Sequence, residues 1–426
     1  MSYQEIRVLF DTGATRVPIG ILAEVNHRIL FEYEASWISK GVELAPFHLP
    51  VTKRSFTFDR NRLPCGLPGL FADSLPDGWG TLIMDRYFRR QGIARNDITL
   101  LDRLAYLGND AMGTLCYEPS LKSGEILQEA VRIGVAAREA LQLYEGKITD
   151  AGHLLAKIGG SPGGARPKAL IGIPAVGDSF VSGNGALPEG YTHWMVKFSG
   201  EGRGGVNDYG KYEGTLEYIC LQMAKAAGIT VPEFRLIDDG VKVRHLAVRR
   251  FDRPSSNSRR HVATACGLLH ADYRLPSLDY AELLRVAWTL TRDAHQVQEQ
   301  YRRAVFNLLS GNRDDHAKNH GYLMEEGGQW RLSPVYDVTF STGPGGEHWT
   351  SYLGRGSCPG ISTLLQLAEQ ASIKEHQARN IIEQVQSAMT LFPSMAKELG
   401  VPLQLRRTIL EHFQQLQVGV NRLPVN

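Results

Sequence analysis

The chain has few cysteines and almost no net charge. Its five cysteines (Cys65, Cys116, Cys220, Cys266 and Cys358) are scattered, odd in number and free of any Cys-x-x-Cys pair. That pattern excludes a disulfide framework and a cysteine-based zinc site, and it fits a reducing compartment. A formal net charge of +2 gives no strong pull toward nucleic acid or a membrane surface. DNA contact would then need a partner or a local basic patch; Arg86, Arg89 and Arg90 offer one, though a solvated helix face is the plainer reading. No apolar run is long enough to span a bilayer. The opening Met1-Ser2-Tyr3-Gln4-Glu5-Ile6-Arg7 lacks the basic and apolar regions of a signal peptide. The expectation is a cytoplasmic protein with no membrane partner. Internal repeats and low-complexity tracts are missing as well.

What is present is a globular composition, 43% hydrophobic and 22% charged over 426 residues, enough for two or three domains with cores. The first part reads as β-structure, with short apolar runs at Arg7–Phe10, Pro18–Glu24 and Arg28–Tyr33. A helix is expected from Asp77-Gly78 through Arg90 and another over Ser123–Tyr144. The strands Ala169–Ile173 and His193–Phe198 follow, separated by a loop over Val176–Tyr191. Tyr212–Ala227 reads as a helix ending at Gly228, and strands are expected at Glu233–Ile237 and Val243–Val248. After an exposed loop at 254–260 the chain turns helical. Ser277 is the expected cap of one helix and Asp293 of the next, through Leu309. Ser372 with Glu375 suggests a capping box opening Ile373–Met389, and a last helix covers Leu403–Leu416. The expected division is 1–120, 121–253 and 254–426: a β-rich N-terminal subdomain, a small lobe and an α-helical lobe, α+β overall.

The chemistry concentrates in Asp314-Asp315-His316-Ala317-Lys318-Asn319, followed by Asp337 in Pro334-Val335-Tyr336-Asp337-Val338. An Asp, an Asn five residues on and a second Asp after the next strands have the spacing of a kinase catalytic loop and its magnesium aspartate. Asp314 would take the proton of an attacking hydroxyl; Asn319 and Asp337 would hold Mg²⁺ on ATP. A helix-to-strand turn rich in Asx residues would look similar. Upstream, Gly159–Lys168 is glycine-rich, and glycines let backbone N–H groups approach phosphates. It matches neither GxxxxGK[ST] nor GxGxxG, and a surface turn explains it about as well. Lys197, amid apolar strand residues, needs an anionic partner. Phosphate oxygens and Glu217 on the next helix are the candidates, with Glu213 as second choice. Arg249-Arg250-Phe251 ends a strand where a kinase hinge would meet adenine.

A rival metallophosphoesterase reading draws on Gly311-Asn312-Arg313-Asp314, His316 and Asp293-Ala294-His295. It lacks a Gly-Asp-x-x-Asp and paired downstream histidines. The order of glycine loop, lysine, helix glutamate, hinge, base, Asn and Asp favours the kinase.

With these elements in order, the chain resembles the HipA family of bacterial serine/threonine kinase toxins. The most specific segments are Gly159–Leu170, Leu246–Arg253, Asp314–Asn319 and Pro334–Val338, joined by Phe71–Gly80 in the N-terminal part. The resemblance implies a two-lobed protein/lipid-kinase-like fold and ATP and Mg²⁺ as ligands. It implies Asp314 as catalytic base and Asn319 and Asp337 as metal ligands. It places Gly163, Gly164, Ala165, Arg166, Pro167, Lys168, Lys197, Glu217, Arg249, Arg250, Phe251, His316, Lys318 and Tyr336 around the nucleotide, and Ser161 at a self-phosphorylated position. It further implies a HipB-like helix-turn-helix antitoxin, operator DNA bound through that antitoxin, and an aminoacyl-tRNA synthetase as protein substrate. Asp315 stands where a small residue is more usual and Arg249 where an acid is familiar. An ionised Asp315 beside the base would raise its pKa, or serve as base itself. Two alternatives stay open: a catalytically silent corepressor partner of a DNA-binding antitoxin, and the phosphoesterase.

Overall fold

The structure is a computed structural model that describes residues 3–121, 131–147, 163–176, 179–202, 207–239, 243–357 and 359–421. Ser161 lies outside the described residues. The chain forms two compact units: Met1–Ser199 with Ile237–His270 and Leu323–Gly328, and Gly200–Leu236 with Ala271–Tyr322 and Gln329–Asn426.

The first unit holds two antiparallel sheets. In one, the strands run in the order Phe56–Asp59, Arg28–Tyr33, Arg16–Val25, Glu5–Asp11, Leu115–Glu118. Alternation sets its inner face: Ile6 and Val8 are buried while Glu5 and Arg7 face out. Asn26 and His27, both at positive φ, form the two-residue turn that brings Arg28 back beside Val25. In the other, the strands Arg244–Arg249, Tyr191–Lys197, Lys168–Pro174, Ser179–Ser182 and Val131–Arg132 lie side by side. Helices Gly78–Arg90 and Ile133–Tyr144 supply Trp79, Ile83, Ala136 and Ala140 to one core with Ala169, Ile171, Trp194 and Val196 of this sheet. The helix that opens at Gly78, in the sequence an N-terminal element, is therefore part of the packing of the glycine-loop strand.

Several expectations need correction here. The Val176–Tyr191 loop contains the strand Ser179–Ser182. Strand Phe56–Asp59 and helix Leu100–Leu107 were not foreseen; Thr99 and Asp102 cap that helix reciprocally. After residue 253 the chain first adds strand His261–Thr264 and helix Ala265–Leu269 to the first unit, and the changeover comes at His270–Ala271.

The second unit is helical, with Glu213–Ala226, Tyr280–Thr291, Ala294–Leu309, Ile361–Gln370, Glu375–Met389, Phe392–Glu398 and Leu403–Asn421. Asp293 caps its helix as expected, accepting the His295 N–H at 2.8 Å. Asp279, not Ser277, caps the preceding one, accepting from Ala281 N at 2.8 Å, because the Ser277 hydroxyl donates to the Asp272 carbonyl instead. Ser372 sits at φ +58°, which an N-cap cannot adopt, and the helix starts at Glu375. Among the described residues no helix is long and apolar enough to cross a membrane.

Candidate functional site

In the second unit, helix Ala294–Leu309 ends at Ser310 and Gly311 turns the chain at φ +63° into the segment 312–320. The two neighbouring aspartates then part. Asp314 is exposed, whereas Asp315 is fully buried. The Asp315 carboxylate accepts from Tyr280 Oη at 2.7 Å, His348 Nδ1 at 2.9 Å, Trp349 N at 2.9 Å and Thr350 N at 3.2 Å. Burial alone would raise its pKa, but His348 and these donors bring it below the ordinary carboxylate range. Asp315 is thus a structural anion with its acceptor sites occupied. The expectation of Asp315 as an alternative base fails on that geometry. A second tier supports it: Asn307 Nδ2 donates to Tyr280 Oη at 2.8 Å, and Asn312 Nδ2 to Asn307 Oδ1 at 2.9 Å. Burial pushes His320 down to about 4, and this neutral ring lies 3.1 Å from the Asp315 carbonyl.

Asn319 turns its amide nitrogen onto the Asp314 carbonyl at 2.7 Å. Its Oδ1 necessarily points the other way. The Tyr336 hydroxyl donates to the Lys318 carbonyl at 2.7 Å, so the residues preceding Asn319 and Asp337 are tied directly. Only glycine fits at 321, where a Cβ would stand 2.9 Å from Tyr336 Oη and 2.6 Å from Ser333 Oγ. Asp337 takes φ +52°, a left-handed conformation that Asp tolerates better than most residues. Carboxylate and amide oxygens are hard donors, which suit Mg²⁺ rather than Zn²⁺. Among the described residues no cluster of three or more His, Cys, Asp or Glu forms a metal site, and Asp293 of the rival motif is spent as a helix cap. Lys318 Nζ sits over the Tyr273 ring at 4.4 Å, and the His316 ring lies 5.8 Å from the same tyrosine. Glu217 is buried on helix Glu213–Ala226 of this unit.

In the first unit, Lys168 and Lys197 face each other across the antiparallel pair. Lys168 is buried, and its ammonium donates to the Gly163 carbonyl. Arg249 ends its strand opposite Trp194, and Arg250 N donates to the His193 carbonyl at 2.9 Å. The side chain of Arg250 departs from expectation. It grips Asp252 through Nε at 3.0 Å and Nη2 at 2.7 Å, while Arg253 Nη1 takes the same carboxylate at 2.7 Å. All three side chains are buried, so this strand end is an internal ion cluster and not a solvated one. Burial would raise the Asp252 carboxyl, but the two guanidiniums hold it far below the usual range. The guanidinium of Arg250 is therefore a structural group.

Sequence reasoning missed the residues that hold these segments: Asp77, Trp79, Asp252, Tyr273, Tyr280 and His348. Two local signals were available: the Phe71–Gly80 motif contains Asp77 and Trp79, and Leu246–Arg253 contains Asp252.

Two family models match, the HipA N-terminal domain over residues 11–118 and the HipA-like C-terminal domain over residues 160–391. The Shewanella oneidensis protein named serine/threonine-protein kinase toxin HipA is 26% identical over 336 residues, covering 72% of this chain and 68% of that protein. In the solved complex of Shewanella oneidensis HipA with HipB and its operator DNA, a chain aligns with TM-score 0.67 at 18% identity, over 97% of this chain and 96% of that one, a likeness of fold. The Helicobacter pylori proinflammatory kinase CtkA aligns with TM-score 0.39 at 12% identity, over 58% of this chain and 90% of that one.

Proposed function

The chain belongs to the HipA family, and from that premise we propose that it is a serine/threonine-protein kinase that transfers the ATP γ-phosphoryl group to a protein hydroxyl. Asp314 is the base in this reading. It is the exposed member of the aspartate pair and so can meet a substrate hydroxyl, which a buried Asp315 cannot. Lys168 and Lys197, opposite each other across one strand pair, hold phosphate oxygens. Asn319 and Asp337 offer oxygen donors to Mg²⁺, whose charge would offset that of the phosphates.

The observation that carries the reading is the Asn319 side chain. It fixes the backbone of the base through its nitrogen and has its oxygen left to face a cation, a double duty that a mere Asx turn does not need. The backbone of Arg249–Phe251 contacts adenine. Glu217 is the helix carboxylate proposed for the same chemistry, Gly163–Pro167 lie along the phosphates, and His316, Lys318 and Tyr336 flank the nucleotide. The partners we propose are a HipB-like antitoxin, operator DNA through it, and a protein substrate of the aminoacyl-tRNA synthetase class. Ser161 is the proposed self-phosphorylation site.

The test is incubation of the full chain with Mg²⁺ and γ-labelled ATP beside Asp314→Asn and Ser161→Ala, with the label mapped by mass spectrometry. Label in wild type that disappears in Asp314→Asn is the expected result. A wild type that binds Mg-ATP but transfers nothing, to itself or to a synthetase, would replace this reading with the silent corepressor.

A further inference from the structure

Asp77 occupies the N-cap position of helix Gly78–Arg90, yet its side chain makes no capping bond to that helix. An aspartate there ordinarily accepts an N–H of the first turn. Its Oδ1 accepts the N–H of Gly164 in the glycine-rich loop instead. Two residues on, Trp79 N donates to the Gly164 carbonyl at 3.0 Å, and the indole Nε1 donates to the Lys168 carbonyl at 2.8 Å. Both polar atoms of Gly164 are thus taken by one segment that is distant in sequence, and the end of the loop by the same tryptophan. The approach is close: a Cβ on Gly78 would stand 2.6 Å from Ala165 Cα, a backbone clash, and one on Gly163 would stand 3.2 Å from Asp77 Oδ1.

We propose that Asp77 is a positioning residue for nucleotide binding: its carboxylate fixes the Gly164 peptide so that the loop is set before a phosphate arrives. The proposal rests on the kinase reading. The opposite role, a carboxylate standing in for phosphate and leaving when ATP binds, fits the geometry less well. Trp79, 1% exposed in the core beside Ile83, Ala169 and Val196, holds the Gly164 and Lys168 carbonyls at the same time, so the carboxylate acts on a peptide already anchored from its other side.

The test compares wild type, Asp77→Ala and Asp77→Asn as full chains in two measurements: calorimetric binding of Mg-ATP, and hydrogen exchange of the loop amides without nucleotide. Because the carboxylate makes no cap bond, Asp77→Ala keeps its helix, which circular dichroism verifies. Losing a charge-assisted bond that orders the loop should weaken Mg-ATP binding about tenfold and speed exchange at Gly164. Asp77→Asn offers an amide oxygen to the same N–H and should stay within about twofold of wild type in both. Unchanged Mg-ATP affinity in Asp77→Ala overturns the proposal alone. Tighter binding in both variants overturns it in favour of the displaced carboxylate. A wild type that binds no Mg-ATP overturns the kinase reading and this proposal together.

Discussion

The catalytic segment and the glycine-rich loop are held by opposite means. Residues 314–319 rest on a buried charge: Asp315 collects four donors from Tyr280, His348, Trp349 and Thr350, and Asp314 is exposed beside it. The glycine loop is fixed at its backbone by a segment nearly ninety residues upstream, through Gly164 and Lys168. A buried carboxylate deprived of its partners is costly, so damage beneath the catalytic segment should register as lost stability. Backbone pins are modest individually, so damage at the loop should register as lost affinity in a folded protein.

The sharpest way to break this contrast is within the aspartate pair. Asp314→Asn should cut phosphoryl transfer by about 10²- to 10⁴-fold while leaving the urea midpoint unchanged, because the group is exposed. Asp315→Ala should do the reverse in kind. It strands His348 and Tyr280 beneath the segment and should cost about 3–5 kcal/mol of stability in urea unfolding. Equal midpoints for these two variants would remove the distinction.

Acid offers a gentler probe of the first unit. Burial pushes His261 down to about 4 from 6.5, so the native ring stays neutral while the unfolded chain takes up a proton below pH 6.5. Stability should therefore fall as pH drops from 6.5 to about 4, by about 1.4 kcal/mol per pH unit for this one group. His261→Gln should flatten the slope by that amount, and an unchanged slope would show that the ring protonates in place. The smallest effects belong to the pins. Tyr336→Phe, which loses the bond to Lys318, should cost about 1 kcal/mol, and Trp79→Phe, which loses the indole bond to Lys168 and some core volume, about 2–3 kcal/mol. Trp79→Phe should change Mg-ATP affinity more than Tyr336→Phe changes it, read by calorimetry.

Local pattern explains which parts were legible in the sequence. Helices Gly78–Arg90, Glu213–Ala226 and Ala294–Leu309 follow from apolar periodicity, and Asp293 from its position before such a run. Ser277 and Ser372 have the right residue type for a cap, but capping depends on backbone conformation, and Ser372 takes the wrong one. Ser179–Ser182 is too short to declare a period against its glycine-rich surroundings. The order of Asp314, Asn319 and Asp337 was readable because spacing along a chain carries it. The pairings Asp77 with Gly164, Asp315 with His348 and Asp252 with Gly113 were not, since periodicity describes one element and says nothing of its tertiary partner.

Asp252 also bears on inheritance. Its carboxylate takes the Gly113 N–H at 2.9 Å, and Arg253 returns two bonds, to the carbonyls of Gly113 at 2.8 Å and Ala111 at 3.1 Å. Three bonds thus cross from the turn that leads into strand Leu115–Glu118 to the strand end that follows Arg249. A descendant that traded its N-terminal module for a foreign one would have to reproduce that peptide at the same depth, or bury two guanidiniums against a carboxylate with one donor missing. Surface positions on either side of this seam are free to drift separately. The seam itself must pass from one generation to the next in one piece.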